Sequence, residues 1–218
     1  MTAFIIAIIV CAGMYVGISD AVAPTGHRIR TNLLLSATDN KFELLSPTIN
    51  DGANLPYAYT CMANGDGVSP PLSWRNAPAQ TQQFLLTLQT DGYRHEDGQY
   101  IGTRCEWTLY AIPSSTTAIA AGNTGGVGIN GGTSPGVSMH VYNPPCPDSS
   151  GNKTYYFTLY ALNQDLGAVV TEKLRQGDET ADIGGNMAVI ATDQDMILGT
   201  ATLSASFCQF SDDELYCT

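Results

Sequence analysis

Three adjacent side chains in this sequence have the residue types that metal binding needs. His95, Glu96 and Asp97 could offer nitrogen and oxygen ligands to a metal ion. The surrounding residues 89–102 are polar and contain several glycines, which predicts a loop. Because no spaced partner completes a coordination sphere, we expect no metal site there, and no cofactor elsewhere in the chain.

A second set of side chains could be arranged as a nucleophilic site. Ser69 or Cys146 would be the nucleophile, with His140 as the base and Asp91 as the orienting group. However, no Gly-x-Ser-x-Gly elbow surrounds any serine, and the prolines beside Cys146 favour a disulfide over a reactive thiol. The glycines at 125–136 lack the lysine and the helix of a phosphate-binding loop. The sequence therefore predicts a protein that is not an enzyme.

The overall composition is that of a folded, acidic domain. Of the 218 residues, 44% are hydrophobic and 13% are charged, so a buried core is expected. Nine basic residues face 20 acidic ones, which gives a net charge of −11. This charge disfavours nucleic acid and anionic membrane surfaces as partners, and its simplest role is solubility.

Residues 1–22 form a candidate signal peptide or N-terminal membrane helix. Residues 3–19 carry no charged side chain, and a run of this length fits either interpretation. No lysine or arginine precedes the run, which opposes a signal peptide. Arg28 and Arg30 follow it, and in an anchored protein they would place the domain on the cytoplasmic side. Both alternatives stay open.

The cysteines and one acceptor triplet indicate an extracytoplasmic location instead. The six cysteines include no Cys-x-x-Cys pair, so a zinc site is not expected. Cys208 and Cys217 would close a short C-terminal loop as a disulfide. Asn152, Lys153 and Thr154 form an N-glycosylation acceptor triplet. Together these features favour a secreted or membrane-anchored protein in an oxidising compartment.

Hydrophobic patterns predict a mainly β domain with peripheral helices over residues 42–210, between a connector at 23–41 and a tail at 211–218. The strand at 155–162 is rich in aromatic residues and apolar on both faces, so it should be central. The remaining predicted elements are strands at 42–46, 84–88 and 106–112, loops or turns at 120–136 and 148–153, helices at 168–176 and at 187–198 with Asn186 as N-cap, and a strand or extended tail at 200–207.

Residues 60–74, TCMANGDGVSPPLSW, suit neither a helix nor a plain strand, because the double proline fixes the backbone and removes two donors. This stretch resembles the signature of the phosphatidylethanolamine-binding protein (PEBP) family, in its bacterial-type, Raf kinase inhibitor protein-like branch. Residues 106–113, 145–147 and 155–162 match further family segments in the same order, and residues 197–207 are similar to the family's C-terminal end.

The resemblance implies a PEBP-like antiparallel β-sandwich with a small anion-binding pocket at one end. Family members bind phosphate-type head groups there, and some inhibit kinases or proteases. The resemblance also brings the segments of Cys61 and Cys146 together, which makes these cysteines a second candidate disulfide. Mapped onto this chain, the pocket candidates are Gln89, Asp91, Glu106, His140, Tyr142, Pro145, Lys153 and Tyr155.

Several of these positions depart from the family pattern. Glu106 and Lys153 stand where the family usually has histidines, and Pro144 stands where it has a glycine. Of the usual Asp-Pro-Asp run, only Asp91 has a clear match. Histidine can donate a hydrogen bond, whereas an ionised glutamate only accepts one and repels an anion. We therefore expect an altered pocket that no longer serves phosphate ligands, in which Lys153 pairs with Glu106.

Two functions follow from the sequence. The first is a non-enzymatic binding module for a small polar or phosphate-bearing ligand, either secreted or tethered to a membrane by residues 3–19. The alternative is an accessory subunit of a membrane-associated assembly, which would use the fold as a scaffold and bind other subunits. Inhibition of a protease or a kinase ranks third, since it depends on family analogy alone.

Overall fold

The structure is a computed structural model of the chain, and the compact unit that contains the domain begins at Asn40. The described residues are 40–63, 67–94, 100–123, 130–131, 133–134, 137–138, 142–146, 152–178 and 184–208. The candidate signal peptide or membrane helix, most of the connector and the predicted tail lie outside them. Among the described residues, no helix is long and apolar enough to span a membrane.

Eleven strands and two helices make up the described part of the domain. A short 3-10 helix, Tyr57–Tyr59, follows the second strand. In chain order the elements are β1 Glu43–Leu45, β2 Ala53–Asn54, β3 Leu72–Arg75, β4 Gln83–Arg94, β5 Tyr100–Pro113, β6 Ala118–Ile119, β7 Asn130–Gly131, β8 Thr133–Ser134, β9 Val137–Ser138, β10 Asn152–Leu162, α1 Leu166–Arg175, α2 Gly184–Asp193 and β11 Ile197–Cys208.

Two sheets face each other, which confirms the prediction of a mainly β sandwich with peripheral helices. The larger sheet has the order β2-β11-β10-β4-β5-β7, and the smaller has the order β1-β3-β6. Among the strands that the structure describes, all pairs are antiparallel except β2 with β11. The core between the sheets is formed by large apolar side chains from both, among them Leu44, Leu72, Trp74, Phe84, Trp107, Phe157 and Leu203.

The two helices cover the other face of the larger sheet. Leu85 and Leu162 on that face pack against Leu166 and Met187 of the helices. Strand β10 is therefore apolar on both faces because each face packs against a different layer, and it lies in the middle of the larger sheet as predicted.

The prediction of a loop at residues 89–102 is wrong at both ends of that range. Strand β4 continues to Arg94 and β5 begins at Tyr100, with pairs such as Tyr93 with Gly102. Polar residues can extend a hairpin because ladder hydrogen bonds satisfy the backbone whatever the side chains are. For the same reason, Asn152 and Lys153 belong to β10 rather than to the predicted turn at 148–153.

The second helix begins and ends earlier than predicted. It starts at Gly184, so Asn186 lies inside the helix and is not its N-cap. The chain leaves the helix at Asp195, whose φ of 52° is left-handed, and Ile197 already belongs to β11. Met196 and Ile197 pack against the same apolar cluster as the helix, which is why their spacing suggested a continued helix.

Asp51 connects the turn after β1 to the last strand. Its carboxylate Oδ1 accepts hydrogen bonds from the Ser204 backbone N–H at 2.8 Å and from the Ser204 hydroxyl at 2.7 Å. The next residue, Gly52, has a φ of 74° and donates its N–H to the Ser204 carbonyl. The backbone and side-chain hydrogen bonds from Ser204 lower the pKa of Asp51.

Candidate functional site

A short segment with two adjacent prolines lies beside the motif, whose described residues are 57–63 and 67–70. This segment, residues 142–146, is called the strap below. A disulfide joins Cys146 of the strap to Cys61, with a Cα–Cα distance of 5.4 Å. The Cys61 N–H also donates to the Pro145 carbonyl at 3.2 Å. The two proline-containing segments that are distant in sequence are thus fixed side by side.

Gly67 is at the point of closest approach between the strap and the motif. A Cβ atom at this position would lie 2.4 Å from the Thr60 carbonyl oxygen and 2.9 Å from the Pro144 Cβ. Backbone and proline atoms cannot move aside easily, so only glycine fits. The absence of a side chain at Gly67 allows the strap to pack tightly against the motif.

Strand β5 has a β-bulge at Glu106. Leu88 pairs with Trp107, and the next residue of β4, Gln89, pairs with Cys105, so Glu106 is the extra residue. The bulge reverses the alternation of side chains. Trp107 faces the sandwich core, whereas the Cys105 Sγ lies 3.2 Å from the Thr108 Oγ1, toward the helices.

The bulge directs the Glu106 side chain toward the strap. Glu106 is only 4% exposed. The Asn143 side-chain Nδ2 donates a short hydrogen bond to the Glu106 Oε2, and the Asn143 backbone N–H donates to the Glu106 carbonyl at 3.2 Å. A buried carboxylate needs donors, and Asn143 supplies one to the side chain.

Tyr142 is the first residue of the strap, and it packs on the residue that follows Glu106. Its ring packs edge-to-face on Trp107, with 5.3 Å between ring centroids, and its hydroxyl donates to the Tyr59 carbonyl at 2.8 Å. Burial raises the pKa of Tyr142 well above 10.0, and the negative charge of Glu106 raises it further. The Tyr142 hydroxyl therefore remains protonated and acts as a hydrogen-bond donor.

Two more of the predicted pocket residues lie on β10. Both are on the face of the larger sheet that faces the sandwich core. Tyr155 is buried in the sandwich core, and it pairs with Thr90 of β4. Lys153 is half-buried, lies two residues earlier and pairs with Phe207, which is also a core residue. The predicted ion pair between Lys153 and Glu106 stays a prediction.

The remaining candidates lie elsewhere. Gln89 pairs with Tyr156, so it is on the helix-covered face, opposite to Tyr155. Asp91 is in β4, beyond Thr90. His140 lies outside the described residues, as do His95 and its two acidic neighbours. Within the described part of the chain, no group of three histidine, cysteine or acidic residues could hold a metal ion.

Sequence reasoning missed three residues that the structure places in or beside the site. Thr90 of β4 pairs with Tyr155 of β10, and its hydroxyl donates to the Thr154 carbonyl at 3.0 Å. Asn143 holds Glu106, and Tyr59 accepts from Tyr142. The one available signal was the position of Asn143, a polar residue fixed in extended backbone by the proline that follows it.

The other cysteines have separate environments. Cys105 is a buried free thiol, and burial is the main reason why its pKa is raised. Cys208 is disulfide-bonded, and its predicted partner Cys217 lies outside the described residues. The sequence-based candidate for glycosylation, Asn152, is exposed at the start of β10.

A groove of about 330 Å³ lies at the same end of β10 and β11 as Asn152. It is distinct from the strap site, since none of the eight predicted ligand-binding residues is among its described lining residues. The groove is lined by Asn54, Leu55, Pro56, Tyr57, Asn152, Ser206, Phe207 and Cys208.

Comparison with known proteins decides the family. The family model described as phosphatidylethanolamine-binding protein matches residues 45–207, which is most of the chain. The chain belongs to the PEBP family. The suspected resemblance is thereby confirmed, and the strap site lies within the matched region.

Bacterial relatives of this PEBP-family chain are similar over about three-quarters of their own length. A UPF0098 protein of Chlamydia pneumoniae is 33% identical over 126 residues, covering 56% of this chain and 76% of the relative. A UPF0098 protein of Aquifex aeolicus is 30% identical over 143 residues, covering 62% and 76%.

Solved structures agree with the fold of this PEBP-family chain. The CT736 protein of Chlamydia trachomatis is similar with a TM-score of 0.57 and 26% identity, covering 78% of this chain and 99% of that one. YbcL of Escherichia coli, described as a new member of the mammalian PEBP family, is similar with a TM-score of 0.52 over the same shares, but at 17% identity it supports the fold alone.

Proposed function

We propose that this PEBP-family protein is a non-enzymatic binding module whose strap site excludes phosphate-type head groups and accepts a small polar ligand that donates hydrogen bonds. The observation that carries this proposal is the buried Glu106 carboxylate, held by Asn143 beside Tyr142. A carboxylate offers only acceptors, so it favours amines and hydroxyls over anions.

The size of the charge effect supports the exclusion of phosphate. Two like unit charges 4 Å apart repel by about 4 kcal/mol at an effective dielectric constant of 20. A millimolar affinity corresponds to about 4 kcal/mol of binding free energy. A repulsion of this size between Glu106 and a bound phosphate would cancel an affinity of this strength. The predicted pairing of Lys153 with Glu106 would reduce the repulsion, but it would also occupy the cation that a phosphate would need.

Titration calorimetry with a matched pair of ligands tests the proposal. Ethanolamine and phosphoethanolamine differ only in the phosphate group, and we expect phosphoethanolamine to give no saturable heat with the wild-type protein. Glu106→Gln removes the charge with little change in shape, and Glu106→His restores the donor usual in the family. Both variants should gain phosphoethanolamine binding if they keep the wild-type thermal midpoint. Saturable binding of phosphoethanolamine by the wild-type protein would refute the exclusion.

We also propose an extracytoplasmic location, either secreted or membrane-anchored. The disulfide between Cys61 and Cys146 supports it, because structural disulfides persist in oxidising compartments. Native mass spectrometry of the protein isolated from its source tests this part. A lone chain without the N-terminal segment supports a secreted module, whereas an intact chain bound to other subunits would favour the role of accessory subunit.

A further inference from the structure

The groove at the end of β10 and β11 has the chemistry of a site for an uncharged, hydroxyl-rich ligand. None of its lining residues that the structure describes carries a charge. The carboxamides of Asn54 and Asn152 and the hydroxyl of Ser206 can donate and accept hydrogen bonds. An ionic ligand would find no counter-charge here, whereas sugar hydroxyls would find partners of both kinds.

Tyr57 adds an exposed aromatic surface to the groove. The residue is 54% exposed, although its ring packs edge-to-face on Phe207 with 6.2 Å between centroids. Large exposed aromatic side chains that line a cavity are typical of binding sites. The apolar face of a sugar ring can pack on an aromatic ring while its hydroxyls face the amides.

Hydrogen bonds among the described residues hold two segments of the groove wall in place. The Leu55 N–H donates to the Ser206 carbonyl at 2.7 Å, which holds β2 against β11. The Tyr57 carbonyl accepts two bonds of 3.0 Å from Thr60, one from its N–H and one from its hydroxyl. A preformed groove loses little conformational entropy on binding.

Asn152 lines the groove and is also a candidate for the covalent attachment of a sugar. It begins the Asn-Lys-Thr acceptor triplet, and the sequence contains no other Asn-x-Ser/Thr triplet. Its backbone is fixed in β10 opposite Cys208, and the exposed residue is one of those that line the groove. A sugar attached to the Asn152 Nδ2 would begin beside the groove.

We propose that Asn152 carries an N-linked glycan and that the first sugar ring of this glycan packs in the groove against Tyr57. In the attachment step, the Asn152 Nδ2 attacks the anomeric carbon of an oligosaccharide linked to a lipid pyrophosphate. The bond from nitrogen to carbon forms, the bond from carbon to phosphate oxygen breaks, and the lipid pyrophosphate leaves as the nitrogen loses a proton. The step involves no oxidation or reduction.

The first test is whether the modification occurs. The full chain is expressed through the secretory pathway of a eukaryotic cell, with Asn152→Gln and Thr154→Ala as variants. Intact-mass measurement should show glycan mass on the wild-type protein only, and peptide N-glycosidase should remove it. If the secreted wild-type protein carries no glycan while a glycoprotein from the same cells is modified, the proposal is wrong.

The second test is whether the sugar ring packs on Tyr57. Packing of the sugar ring on Tyr57 should raise the thermal midpoint of a domain of this size by about 1–6 °C. We expect the glycosylated protein to melt higher than the enzymatically deglycosylated protein by an amount in this range. Tyr57→Phe should keep the difference, and Tyr57→Ala should abolish it.

Val189→Ala is the matched control, because Val189 is 55% exposed on α2, outside the groove lining. It should leave the glycan-dependent shift unchanged. A shift that persists in Tyr57→Ala would overturn the packing, even with Asn152 glycosylated. Neither result depends on ligand binding at the strap site, so the two proposals fail separately.

Discussion

One carboxylate carries the chemistry that we propose for the strap site. Glu106 takes a position where the family usually has a histidine, and the bulge in β5 places it beside the strap. Its burial is compatible with stability because Asn143 donates to it. The sequence indicated the substitution of a histidine by Glu106, but not the bulge, because a bulge depends on pairing with another strand.

Removing the Asn143 amide that donates to Glu106 should destabilise the protein. We expect Asn143→Ala to lower the free energy of unfolding by about 1–3 kcal/mol, because it leaves a buried carboxylate with fewer hydrogen bonds. Urea denaturation of Asn143→Ala and of the double variant with Glu106→Ala measures the coupling. The exposed Gln82→Ala serves as the control and should change little. Additive effects of the two substitutions would show that their hydrogen bond contributes nothing.

Asp51 gives a residue-scale prediction about pH. The two hydrogen bonds from Ser204 lower its pKa in the folded state, so the ionised form is favoured by folding. Its contribution is therefore present above the unfolded pKa, near 3.8, and is lost as the pH falls through the folded pKa. Because the side chain is exposed, we expect Asp51→Asn to cost about 1 kcal/mol at pH 7.

Chemical denaturation from pH 7 to pH 2.5 should show this cost declining toward zero as the acid protonates Asp51. Ser204→Ala is the companion variant, since it removes the hydroxyl donor and keeps the backbone donor. It should produce a smaller loss at pH 7. A cost of Asp51→Asn that stays constant down to pH 2.5 would contradict the role of the charge.

At the scale of elements, tertiary packing and strand pairing set the ends of strands and helices that the sequence did not predict. Apolar patterns identified the cores of β4, β5 and β10, because those stretches face a buried layer. Their polar extensions were missed, since they are held by pairing with neighbouring strands rather than by burial. Helix α2 was predicted to end too late, because Ile197 packs against the same cluster from a strand.

The close packing of the strap against the motif gives an element-scale prediction. Gly67→Ala should lower the free energy of unfolding by about 1–3 kcal/mol, because the added Cβ meets the Thr60 carbonyl and Pro144. Gly185→Ala in α2 is the matched control, since its nearest neighbour would be the Cys105 Cβ at an ordinary 3.7 Å. Denaturant midpoints compare the two variants. Equal stability of the two would show that the strap yields easily.

At the scale of the whole molecule, the resemblance to the PEBP family supplied most of what could be predicted. It implied the sandwich and paired the segments of Cys61 and Cys146. Composition and periodicity alone gave strands and helices without their order in the sheets. The layout of the strap site required the structure, because Glu106, Tyr142 and Tyr155 come from segments that meet only in the folded chain.

The disulfide should contribute to the stability of the whole domain. It joins cysteines separated by 85 residues, so it restricts the unfolded chain over a long loop. We expect Cys61→Ala with Cys146→Ala to lower the free energy of unfolding by about 2–4 kcal/mol. Treating the wild-type protein with a dithiol reductant should give at least this loss, because the reductant also opens the disulfide of Cys208, and the double variant should respond less than the wild-type protein. Unchanged stability in both cases would contradict the prediction.

The insertion of β11 between β2 and β10 has a consequence for synthesis on the ribosome. Residues 53–54 pair in parallel with residues 205–206, about 150 positions later in the chain. A nascent chain cannot complete the larger sheet until its last strand has left the exit tunnel. Because such non-local pairing forms slowly, we expect the partly made domain to expose apolar strands until β11 is available.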